Sequence, residues 1–169
     1  FLFSIENGKL TTIIDTNNIS RLGEGLLKTG IISDEAMDRN IEALRGFMKS
    51  AKEENVKEIT AVGTMCLRTA NNSDVFLKKA KEELGLTIKV IPGEEEARLS
   101  YLAVLSTIGN TDKNVVVFDT GGGSTEFIFG KGANLNNRFS LNLGAVHPTE
   151  EFLVSDPVTN DEIKKMQDH

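Results

Sequence analysis

Apolar and polar residues alternate over Phe1 to Ile5, and Glu6-Asn7-Gly8 follows. That pattern predicts an opening strand and a hairpin turn, with Leu10 to Ile14 as the returning strand. Ile19 to Leu22 reads as a third strand, leading into Gly23-Glu24-Gly25. The period then changes. Ser33 is placed to cap a helix whose first turn carries Asp34 and Glu35, and Met37, Ile41, Leu44 and Met48 form one apolar stripe as far as about Glu54. At this spacing the methionines read as core packing. Lys57 to Val62 predicts a strand, and Thr64 to Asn72 a loop carrying Arg68. Ser73 is expected to cap a helix through Leu84, ended by Gly85, and Thr87 to Ile91 to form a strand. Pro92-Gly93 turns into a helix with Tyr101, Leu102, Leu105 and Ile108 on its core face, stopped by Gly109.

The second half begins with Val115-Val116-Val117-Phe118, a continuous run that reads as a buried strand, and Phe127 to Phe129 reads as its neighbour. Arg138 to Leu143 predicts a further strand, and Asp161 to Gln167 the start of a polar helix. Hairpins first and alternating strands and helices later give an α/β mixed sheet flanked by helices. A domain boundary is expected near residues 112 to 114, dividing the chain into 1–113 and 114–169.

Between the two strands of the second half lies Asp119-Thr120-Gly121-Gly122-Gly123-Ser124-Thr125-Glu126. Glycines leave room for an anion against bare backbone N–H groups, the geometry of a phosphate nest. Asp119 and Glu126 flank it, and one or two carboxylates beside a phosphate suit Mg²⁺. The simpler alternative is a plain glycine-rich hairpin turn. Upstream, Glu94, Glu95 and Glu96 open a helix, where negative charge is favoured, and Glu94 can pair with Arg98 at i,i+4. Glu96 lies toward the apolar side, which makes it a candidate general base. Arg68 stands where ligand groups gather in open α/β sheets and could clamp a phosphate; Arg21 has the same reading. His147 and His169 are not spaced for metal, and the chain has no GxxxxGK[ST], CxxC or GxSxG sequence.

Charge and cysteine content narrow the partners. With 25 acidic and 19 basic residues the net charge is −6, which gives no sequence-wide attraction to nucleic acid or anionic membrane. A polyanionic substrate would need local cationic groups or a divalent cation. The single cysteine, Cys66, allows no internal disulfide, sits in an apolar run as a small hydrophobe, and fits a reducing, cytoplasmic setting. No apolar run approaches the roughly 18 residues that span a bilayer, and no signal peptide is visible.

Taken together, Asp119 to Glu126, Pro92-Gly93-Glu94-Glu95-Glu96-Ala97-Arg98, Leu143-Gly144-Ala145-Val146, Arg21 to Leu26 and Ala61-Val62-Gly63-Thr64 with Arg68 resemble the Ppx/GppA family of exopolyphosphatases and guanosine pentaphosphate phosphohydrolases. The resemblance implies the actin/Hsp70/sugar-kinase-like (ribonuclease H-like) fold, with 1–113 as a first domain and 114–169 as the beginning of a second. It implies Glu96 as the base that activates water, Asp119 and Glu126 as Mg²⁺ ligands, and Gly121, Gly122, Gly123, Ser124 and Thr125 as the phosphate-binding turn. Arg68 would lie near the substrate phosphates. The implied substrate is inorganic polyphosphate or guanosine pentaphosphate. A non-catalytic phosphate- or nucleotide-binding regulatory domain of the same fold is the alternative. The family's first phosphate loop would precede Phe1 and its second domain would continue past His169; an Arg is usual where His147 stands. An exposed apolar face on the second domain would promote association, so a homodimer is also expected.

Overall fold

The alternation at the start of the chain becomes an antiparallel hairpin of β1 (Leu2–Glu6) and β2 (Lys9–Ile14), turned through Asn7 at φ 53°. In this computed structural model, residues 1–7, 9–109 and 111–168 are described, Lys9 and His147 by their backbone alone. Gly8 of the predicted turn, the His147 side chain and His169 lie outside the described residues.

Ile19 to Leu22 does not form a strand. Its backbone acceptors are taken by side chains instead: Arg39 Nε and Asn40 Nδ2 both donate to Ser20 O at 3.0 Å. Arg21 turns into the left-handed region at φ 49°. A short α1 (Leu26–Thr29) follows, then α2 (Asp34–Glu53), where Ser33 Oγ accepts the Ala36 N–H as the cap chemistry predicts. Of the strand expected over Lys57 to Val62 only Ala61 and Val62 pair, within β3 (Ala61–Gly63). The expected loop after it contains a five-residue helix, α3 (Met65–Thr69). In α4 (Ser73–Leu84) the capping position falls to Asn72, not Ser73. The Asn72 amide makes two bonds to the Ile32 backbone, tying the entry of α4 to the loop before α2. β4 (Ile88–Val90) runs parallel to β3, as a helical crossover requires.

α5 (Gly93–Ile108) leads to an antiparallel sheet of β5 (Asn114–Thr120), β6 (Thr125–Lys131) and β7 (Asn134–Leu141). The chain ends in α6 (Val146–Phe152) and α7 (Asn160–Gln167). Parallel and antiparallel pairing both occur, but in three separate sheets among the described residues, not in one.

Two hydrophobic clusters hold these elements. Leu26, Ile32, Met37, Ile41, Leu67, Phe76 and Ala80 join α1 to α4 over β3 and β4. Burying one such side chain contributes about 1.5–3 kcal/mol. Ala97 and Tyr101 of α5 pack on Val117 and Ile128 in the second cluster. Alternation therefore puts Val117, Asp119, Glu126 and Ile128 on the face that α5 covers. A register shift in β7 near Gly130 keeps Leu135 on that face together with Arg138 and Ser140.

Candidate active site

Three glutamates open α5, and each meets a different arginine. Glu94 pairs with Arg138 at 3.3 Å, and Glu95 takes two 2.8 Å bonds from Arg98. Glu96 pairs with Arg68 at 2.8 Å. The expected Glu94–Arg98 pair is thus replaced by Glu95–Arg98 at i,i+3. The hydrogen bonds from Arg98 hold the Glu95 carboxyl below the usual carboxylate range. Glu96 and Arg68 are both mostly buried, at 19% and 22% side-chain exposure, whereas Glu94 is 78% exposed. Arg68 Nη1 also donates to Ile91 O at 2.9 Å, which fixes the guanidinium between the end of β4 and the start of α5.

One turn beyond Glu96, on the same side of the helix, Ser100 donates to Asp119 Oδ2. Asp119 stands directly opposite Glu126 in the β5–β6 register. Glu126 is 1% exposed, and Ser140 Oγ of β7 donates to its Oε1 at 2.8 Å. Gly93 closes the gap between the two pairs: a Cβ there would lie 3.5 Å from Ser140 Cβ and 3.7 Å from Arg68 Nη2. Glu96 and, through Ser100, Asp119 are thus tied to the first two turns of α5, and Glu126 lies opposite Asp119 in the sheet beneath it.

The Asp119–Glu126 pair has serine donors but no cationic side chain in contact among the described residues. By residue type, two facing carboxylates suit a hard divalent cation, but Glu126 is 1% exposed and neither residue lines the cavity described below. No cluster of three or more His, Cys, Asp or Glu side chains arranged for metal occurs among the described residues.

The glycine run forms a tight turn closed by Gly121 N–H to Ser124 O at 2.9 Å. Ala145 and Val146 donate their N–H groups to the carbonyls of Gly121 and Gly122, at 2.9 and 2.8 Å. The Thr125 hydroxyl is committed to Leu143 O at 2.5 Å. A cavity of about 490 Å³ lies against Gly121 to Ser124, and Glu96 also lines it. Arg21, Glu24 and Glu150 line it as well, with Leu22, Met65 and Cys66 on its apolar side. Arg68, Asp119, Thr125 and Glu126 are not among the lining residues. Burial pushes the Cys66 thiol up to about 11, so it stays protonated and is no nucleophile.

A model of the Ppx/GppA phosphatase family matches residues 1–169. The chain belongs to the Ppx/GppA family. It is 41% identical over 145 residues to the guanosine-5'-triphosphate,3'-diphosphate pyrophosphatase of Photobacterium profundum, covering 86% of this chain and 29% of that protein. It resembles the crystal structure of the Aquifex aeolicus Ppx/GppA family member at 37% identity and a TM-score of 0.74, over 96% of this chain and 53% of that one. An exopolyphosphatase from Cytophaga hutchinsonii gives 30% identity and a TM-score of 0.90, over 98% and 53%. The fold is that of the Ppx/GppA proteins, and this chain spans about half the length of these solved relatives.

Sequence reasoning on the Ppx/GppA motifs missed Ser100, Ser140 and Arg138. Ser100 was findable, four residues after Glu96 on a helix. Ser140 and Arg138 were not, because their facing depends on the register shift in β7. Leu143 to Val146 was noticed as part of the family pattern without a structural role.

Proposed function

We propose that the chain takes part in hydrolysis of a terminal phosphoanhydride, with guanosine pentaphosphate or inorganic polyphosphate as substrate. The observation that carries this reading is the shared cavity that sets Glu96 against the glycine turn. Phosphoryl transfer depends mainly on positioning and charge, and this site offers both. The turn from Gly121 to Ser124 supplies backbone N–H groups for phosphate oxygens. Glu96 takes a proton from the attacking water. Arg68 holds that carboxylate in place through Nη1; it does not line the cavity itself, so its part is to position Glu96. Ser100 and Ser140 orient the carboxylates of Asp119 and Glu126, which would hold Mg²⁺. A bound Mg²⁺ neutralises charge on the phosphate oxygens. Relatives named for guanosine pentaphosphate and for polyphosphate keep both substrates in view.

The test is Glu96→Gln in the full-length protein, with phosphate release measured from each substrate with Mg²⁺ present. Turnover is expected to fall by about 10²-fold or more, the usual contribution of a positioned base, with binding retained. Undiminished turnover would remove Glu96 from the mechanism. Tight binding without turnover by the unsubstituted protein would favour a regulatory binding domain.

A further inference from the structure

Gly144 approaches the glycine turn more closely than any side chain would allow. A Cβ on it would lie 2.4 Å from Gly122 C and 2.4 Å from Gly123 N, backbone atoms that cannot swing aside. The two residues after it donate N–H groups to the carbonyls of Gly121 and Gly122. In a planar trans peptide the N–H points opposite to the C=O. Fixing the Gly121 carbonyl toward Ala145 therefore turns the Gly122 N–H the other way, and fixing the Gly122 carbonyl toward Val146 does the same to the Gly123 N–H. Neither N–H has a protein acceptor among the described residues.

We infer that Gly144-Ala145-Val146 is the positioning element of the phosphate-holding turn, drawing two carbonyls back so that the Gly122 and Gly123 amides face the anion. Left unheld, a flexible glycine run could present carbonyl oxygens to the phosphate and repel it. The inference rests on the proposal above that this turn holds phosphate. Ala145 and Val146 also line the cavity, but the role assigned to residues 144–146 acts through the turn.

Two variants of the full-length protein test it. Gly144→Ala drives a methyl group into the turn. Ala145→Pro keeps the backbone angle, since Ala145 already has φ −68°, but it removes the N–H to Gly121 and sets the ring Cδ against that carbonyl, so the carbonyl must turn away. KM for tripolyphosphate with Mg²⁺ is expected to rise about tenfold in Ala145→Pro, as for one misplaced charge-assisted hydrogen bond, with kcat nearly unchanged and a cooperative melting transition kept at a lowered temperature. Amide NMR signals of Gly122 and Gly123 in the unsubstituted protein are expected to shift when tripolyphosphate and Mg²⁺ are added. A folded Ala145→Pro protein with unaltered KM overturns the inference, and so do Gly122 and Gly123 signals that ignore the ligand while hydrolysis proceeds. If Gly144→Ala does not fold, these two measurements still decide. If the unsubstituted protein neither hydrolyses tripolyphosphate nor shows amide shifts with it, the reading of the turn falls first. Shifts without hydrolysis leave the positioning role standing on a binding site.

Discussion

At the scale of single residues, Arg68 is the one whose removal should be felt twice. It is the cation that holds the mostly buried Glu96 carboxylate, and it also satisfies Ile91 O. Arg68→Ala leaves both groups without that donor, so unfolding in denaturant is expected to show a loss of about 1–3 kcal/mol. Phosphate release should fall as well, because the carboxylate loses its fixed orientation. An unchanged midpoint in urea would mean that water replaces the guanidinium without cost. Cys66 gives an independent check on burial at the cavity wall. With its thiol pushed up to about 11, the reactive thiolate is scarce at pH 8, and alkylation is expected to run on the order of a hundredfold slower than for an exposed cysteine. Rapid labelling would show that the wall opens.

Among the elements, α7 has the most explicit start signal. Thr159 and Glu162 form a reciprocal capping box, and Glu162 also accepts from Ser155. The Ser155 hydroxyl, then the Thr159 backbone and side chain, lower its carboxyl from about 4.5 to about 2. A lowered folded-state value means that this cap stabilises α7 fully above the ordinary carboxylate range. The contribution is lost as pH falls from about 4.5 through 2. An NMR titration of Glu162 is expected to give a midpoint near 2; a midpoint near 4.5 would show the cap to be open in solution. β6 is constrained in a different way. A Cβ on Gly130 would lie 2.2 Å from the Tyr101 hydroxyl, which is buried and donates to Gly132 O at 2.9 Å. Gly130→Ala is therefore expected to destabilise by about 1–3 kcal/mol, read from thermal or urea unfolding.

The elements also show how far the sequence could be read. α2, α4 and α5 were legible because each has a long apolar stripe with a clear stop. The β5–β6 hairpin was legible from two apolar runs around the glycines. α3 was hidden by its five-residue length, and α6 by Pro148, which a helix tolerates only in its first turn. β7 was read only from Arg138 onward; its polar first half, 134–137, is defined by pairing with β6. In the site, residue types pointed to Glu96, the turn, Asp119 and Glu126. Which glutamate meets which arginine depends on the geometry of the helix start, and sequence spacing did not give it.

For the molecule as a whole, the outer face of the β5–β7 sheet stands out. Phe118 meets Phe127 edge-on at 5.0 Å, and Phe127 stacks on Phe139 at 5.0 Å. Phe118 is 64% exposed, with Val116 and Leu141 also open. Such a face favours association. Residues 1–169 expressed alone are expected to sediment with concentration-dependent mass, and Phe118→Ser to shift them toward the monomer. Strict monomer behaviour at high concentration would refute this.

The ion pair between Arg68 and Glu96 also has a mechanical meaning. Arg68 is carried by a helix rooted in the first cluster, whereas Glu96 begins a helix rooted in the second. The two charges thus work as a clasp between separately packed bodies. Any rocking of one cluster on the other would stretch that clasp, so Glu96, which lines the cavity, would move with it.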